Sequence, residues 1–127
     1  IASARVWRKR YGGGMRQVGI LAAAADYAIT HHIADLADDH RRAKALATAI
    51  SQVNSSLIDP SLVATNIVGL NLKALGITAA ELATRAKESG LLIGALGPHF
   101  ARLVTHRDFD DAQCDQAIEI LRKALVA

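Results

Sequence analysis

Three consecutive glycines, Gly12-Gly13-Gly14, separate a cationic segment from an apolar one, and no regular helix continues comfortably through such a cluster. Arg5, Trp7, Arg8, Lys9, Arg10 and Tyr11 lie before it, while Met15, Arg16 and an Ala-, Leu- and Ile-rich stretch to Thr30 follow. Glycine amides carry no Cβ and can crowd a ligand, and a helix expected from about Met15 would add unpaired N–H groups at its positive end. The stretch therefore reads as a grip for phosphate or carboxylate. A solvated basic helix end beside a capping turn accounts for the same residues.

The five cations Arg5, Arg8, Lys9, Arg10 and Arg16 exceed the net charge of +3 by themselves, so the positive charge is local. That argues against a protein that coats nucleic acid over its whole surface. With 127 residues, 51% of them hydrophobic, the chain can bury one ordinary core and is too short for two full-sized domains. Asp26 interrupts the most apolar stretch, so no membrane span is expected, and the glycine cluster excludes a signal-peptide core. The single cysteine, Cys114, excludes an internal disulfide and a cysteine-built zinc site, which suits a reducing cytoplasm.

Periodicity organises the rest. Met15 to about Thr30 is apolar on nearly all sides, the mark of a helix enclosed by other protein. A second helix is predicted over about 33–53, with Ile33, Leu36, His40, Ala43, Ala47, Ile50 and Val53 as its buried stripe. After a turn through Asp59-Pro60, Leu62 to Leu72 alternates as a strand, with Asn66 interrupting the face formed by Leu62, Ala64, Val68, Leu70 and Leu72. Thr78-Ala79-Ala80-Glu81 is a capping box that starts a helix ending at Gly90. Leu91 to Leu96 and Ala101 to His106 read as two strands joined through Gly97-Pro98. Asp110 caps a last helix, with Phe109 as its staple and Cys114, Ala117, Ile118, Leu121 and Leu125 as its buried stripe. The predicted class is α+β, with helices covering one side of a three-stranded sheet.

Arg102 is the leading site candidate. Period-two geometry puts it on one strand face with Val104 and His106, where a planar guanidinium could clamp a carboxylate through two parallel hydrogen bonds. Pairing with Asp108 at a strand edge is the plainer account of the same arginine. His40, in the apolar stripe, reads as a hydrogen-bonded core residue, and His106 as a support for Arg102 or a backbone cap. His31 and His32 are adjacent, hence on different helix faces, and make a poor metal pair. Trp7 and Tyr11 share a face and read as packing residues, Asn66 as a satisfier of backbone groups, Asp108 as a helix-start cap, and Cys114 as a small core hydrophobe.

Residues 7–29, WRKRYGGGMRQVGILAAAADYAI, resemble the segment after the cofactor lysine in L-threonine aldolases, pyridoxal-phosphate enzymes of aspartate-aminotransferase-like fold. Leu36-Ala37-Asp38-Asp39-His40 and Arg102-Leu103-Val104-Thr105-His106, followed by Asp108, resemble later family segments in the same order. The resemblance covers nearly the whole chain and only the last third or so of a family member. It implies that residues 1–14 are the tail of a large cofactor-binding domain, and 15–127 an interdomain helix with the small C-terminal α+β domain. The opening at Ile1 without methionine fits that expectation of a C-terminal piece.

By the same resemblance the parent is a cytoplasmic, homo-oligomeric (tetrameric) lyase that cleaves threonine-type β-hydroxy-α-amino acids to glycine and an aldehyde. Arg102 matches the arginine that holds the substrate α-carboxylate, and Lys9 and Arg16 match cations directed at the active site and the phosphate of pyridoxal 5'-phosphate. None of Lys9, Lys44, Lys73, Lys87 or Lys123 stands in the cofactor-lysine motif, so the chain is expected to carry no catalytic residue and no turnover of its own. Neither metal, nucleic acid nor membrane is expected as a partner. A β-eliminating lyase or aminotransferase of the same superfamily is the alternative, as is a non-enzymatic anion-binding module.

Overall fold

The computed structural model describes residues 1–126 and divides into two compact units, one of residues 1–34 and one beginning at Asp35.

The first unit holds α1 (Ala2–Arg10) and α2 (Gly19–His32). The glycines end α1. Gly12 adopts φ +80, the Gly12 amide donates to the Lys9 carbonyl at 3.2 Å, and the Gly13 amide donates to the Arg8 carbonyl at 2.8 Å. This pair of bonds is a Schellman cap, with Arg8, Lys9 and Arg10 in the last turn where cations complement the helix dipole. Trp7 and Tyr11 stack on each other with centroids 5.7 Å apart, and the Arg10 guanidinium sits 4.9 Å from the Trp7 ring. The helix α2 begins at Gly19 rather than near Met15, and it buries no residue within the described chain; Ile20, Leu21, Tyr27 and Ile29 are all exposed.

The second unit contains α3 (Leu36–Val53), β1 (Ile67–Asn71), α4 (Ala79–Glu88), β2 (Gly94–Gly97), β3 (Phe100–Val104) and α5 (Asp111–Val126), with two short 3₁₀ turns. The three strands form an antiparallel sheet in the order β1-β3-β2. The predicted class, helices on a three-stranded sheet, is the observed one. One sheet face, through Val68, Leu70, Ala101 and Leu103, packs on Leu46, Ala47 and Ile50 of α3, Leu82 of α4 and Cys114, Ala117 and Leu121 of α5 in a single core. Each leucine enclosed in this way contributes about 2 kcal/mol of transfer free energy.

Local sequence explains the element ends. Thr78 accepts from the Glu81 amide at 3.1 Å and Glu81 accepts from the Thr78 amide at 2.6 Å, the predicted capping box, and Gly90 leaves α4 at φ +89. Asp110 and Gln113 form a second reciprocal box at 2.8 and 2.9 Å ahead of α5, and Phe109 packs against the core that contains Cys114. The β2–β3 hairpin turns through Pro98 and His99. Their carbonyls accept from the Ala79 and Leu72 amides at 2.8 Å each, which ties the hairpin tip to α4 and to the end of β1.

Three expectations are corrected. The predicted strand from Leu62 shortens to begin at Ile67, because Asp59 accepts from the Ser61 amide and Pro60 presets a 3₁₀ turn, leaving Leu62 exposed. The helix predicted from Ile33 begins at Leu36, with a turn over 33–35. His40 is exposed and Asp39 takes its place in the buried stripe, which runs Asp39, Ala43, Leu46, Ala47, Ala49 and Ile50. The stripe admits a carboxylate because Arg42 Nη1 lies 3.7 Å from Asp39 Oδ1.

Candidate functional site

The outer face of the sheet is where the fold leaves chemistry exposed. Ala101 and Leu103 point into the core, so alternation turns Phe100, Arg102 and Val104 outward, and Ile67 of β1 joins them. Register makes Arg102 the centre. Its direct partners are Gly69 on β1 and Gly94 on β2, so neither neighbouring strand places a side chain opposite the arginine. Among the described residues no hydrogen bond or ion pair engages the Arg102 guanidinium, and the considered pairing with Asp108 is absent. A cation held on a partly apolar face with open donors is suited to an incoming carboxylate.

Beside the end of β2 opens a cleft of about 250 Å³, lined by Leu92, Ile93, Gly94, Arg102 and His106 but also by Leu46, Leu103, Ala117 and Leu121 of the core on the opposite sheet face. The strand that carries Arg102 is fixed at its far end by buried Thr105, whose hydroxyl donates to the Asp39 carbonyl at 2.7 Å. Asn66 Nδ2 donates to the Thr105 carbonyl at 2.8 Å, and the Thr105 amide donates to the Asn66 carbonyl at 3.0 Å. Asn66 thus satisfies backbone, as the sequence suggested. His106 lies beyond the strand with its ring 6.4 Å from Phe109, and no hydrogen bond links it to Arg102 among the described residues.

Ion pairs missed by pattern reading join α3 to the start of α5 and to the loop after β3. Arg41 and Arg42 both donate to Asp111, at 2.7 and 2.6 Å, and Arg107 pairs with Asp35 at 3.4 Å. The hydrogen bonds from Arg41 and Arg42 hold the Asp111 carboxyl below the usual carboxylate range. Burial pushes the Cys114 thiol up, in keeping with a core residue rather than a nucleophile. No group of side chains suited to a metal ion occurs among the described residues, and no described helix is long and apolar enough to cross a membrane.

Lys9 and Arg16 belong to the first unit, Arg102 to the second. Both Lys9 and Arg16 are exposed. The Lys9 side chain crosses Gly14 so closely that a Cβ there would lie 2.9 Å from Lys9 Cδ. The amides of Gly12 and Gly13 are spent on the α1 cap, and α2 starts five residues after Gly14. The Gly12 and Gly13 amides are therefore not open to an anion, and no helix N-terminus follows directly on the glycines.

Residues 1–74 match the family model of the beta-eliminating lyases. The chain belongs to that family. Over 97% of its length it is 32% identical to a probable low-specificity L-threonine aldolase 2 of Arabidopsis thaliana. It is 36% identical over 98% of its length to a probable low-specificity L-threonine aldolase of Schizosaccharomyces pombe, and 36% over 84% to the low specificity L-threonine aldolase of Escherichia coli O157:H7. The chain spans about a third of the length of these curated relatives, at 35%, 29% and 30%. The resemblance to L-threonine aldolases thus holds across the chain, whereas the beta-eliminating lyase match itself stops short of Arg102.

Proposed function

We propose that this chain is the carboxylate-binding part of a pyridoxal-phosphate-dependent L-threonine aldolase, which cleaves β-hydroxy-α-amino acids to glycine and an aldehyde. The observation that carries this reading is Arg102, unpartnered among the described residues and flanked on both strands by glycine on an open sheet face. The guanidinium would hold the substrate carboxylate by two parallel hydrogen bonds and so fix the orientation of the bonds at Cα. Lys9 and Arg16 would hold the cofactor phosphate as exposed cations. Residues 1–14 would then belong with a cofactor-binding domain and residues 15–127 with the small domain.

The fit to the cofactor is partial in an informative way. Side chains for a phosphate and a carboxylate are present, but Lys9, Lys44, Lys73, Lys87 and Lys123 are all exposed and none occupies an enclosed pocket. The lysine that bonds the cofactor aldehyde would come from another part of the enzyme. When bound, pyridoxal phosphate supplies the electron sink for cleavage of Cα–Cβ. The uncovered apolar helix α2 supports homo-oligomeric assembly of the parent, and a cytoplasmic setting suits the single buried thiol.

The test is glycine release from L-threonine with added pyridoxal phosphate. The full-length gene product is expected to turn over and the 127-residue chain alone is not. Steady glycine production by the isolated chain would overturn its assignment as a contributing part, and absence of turnover in the full-length protein would overturn the lyase reading.

A further inference from the structure

The two glycines beside Arg102 are not equivalent. On the β1 side the ring of Phe100 lies across Gly69, so closely that a Cβ there would come within 2.9 Å of Phe100 Cζ and 3.2 Å of Cε2. That flank of Arg102 is closed by an aromatic wall. On the β2 side nothing comparable covers Gly94: the nearest heavy atom to an added Cβ is the Arg102 carbonyl oxygen at 3.4 Å. The Gly94 backbone has no positive φ, so the position requires glycine neither for conformation nor for backbone packing.

We propose that a ligand carboxylate reaches Arg102 over Gly94, that the missing side chain there sets the size of ligand the guanidinium accepts, and that Phe100 seated on Gly69 bars the opposite approach. The inference rests on the reading of Arg102 as a carboxylate site. Residues directly paired across antiparallel strands share a face, with Cβ atoms about 5 Å apart, so any side chain at 94 stands beside the arginine stem. The position consequently discriminates by bulk: threonine, with a methyl group, needs less of the space than 3-phenylserine, which brings a ring.

The test uses the full-length gene product with pyridoxal phosphate. Gly94→Ala and Gly94→Val are compared with Arg102→Ala, measuring kcat and KM for threonine and for 3-phenylserine. Gly94→Val is expected to raise KM for threonine about tenfold and for 3-phenylserine further, with kcat within about twofold. Gly94→Ala is expected to give the same ordering at smaller size, and it carries the test if the valine variant fails to fold. Equal rises of KM for both substrates would overturn the proposal, as would unchanged KM for both substrates in the Gly94 variants while Arg102→Ala raises it. If Arg102→Ala itself leaves KM unchanged, the carboxylate reading fails and this inference with it.

Discussion

Thr105 ties the end of the Arg102 strand to α3, and Asp111 ties α5 to the same helix. Thr105→Val keeps the shape but removes the hydroxyl that bonds the Asp39 carbonyl, so denaturant unfolding should show a loss of about 1 kcal/mol. Asp111 accepts from two arginines and its pKa is depressed, so its stabilising effect exists above the unfolded carboxylate pKa, about 3.9, and disappears as pH falls through the lower folded value. Urea midpoints for Asp111→Asn should therefore lie modestly below those of the native chain at pH 7, with the difference shrinking below about pH 4. A gap that widened in acid would contradict this. The alternation that exposes Arg102 was legible in the sequence because period two is local, whereas its flanking glycines were not, since register between β1, β2 and β3 depends on residues far apart. Asp39 was missed for another reason: apolar-stripe reasoning assigns a buried position to whichever nearby residue is least charged.

Elements whose ends are set by nearby residues were the readable ones. The capping box at Thr78 and Glu81, the stop at Gly90 and the Asp110 cap each depend on side chains within a few positions, and each formed as predicted. Thr78→Ala should cost about 1 kcal/mol and lower the melting temperature by several degrees, as followed by circular dichroism. The triple glycine illustrates the opposite case. The same composition serves a helix C-cap or an anion loop, and only the positive φ of Gly12 separates them. The signal that could have decided it was Arg8-Lys9-Arg10 immediately before the glycines, the usual chemistry of a final helical turn. Strand β1 was overlong in prediction because alternation continued by chance through the Asp59-Pro60-Ser61 turn.

At the scale of the molecule, the core cluster lies entirely within the unit that begins at Asp35, while α2 buries nothing. Removal of residues 1–34 is therefore expected to leave the denaturant midpoint of the remaining unit unchanged; loss of cooperative unfolding would contradict this. The central proposal is that the open sheet face receives a substrate carboxylate at Arg102 as part of a larger lyase. The most direct measurement is the threonine KM of the full-length gene product carrying Arg102→Lys and Arg102→Ala. Loss of a charge-assisted pair worth about 1.5–3 kcal/mol predicts a rise of roughly ten- to hundredfold for alanine and a smaller one for lysine, which keeps the charge but not the fork. A KM unchanged in both variants, with turnover intact, would contradict the account.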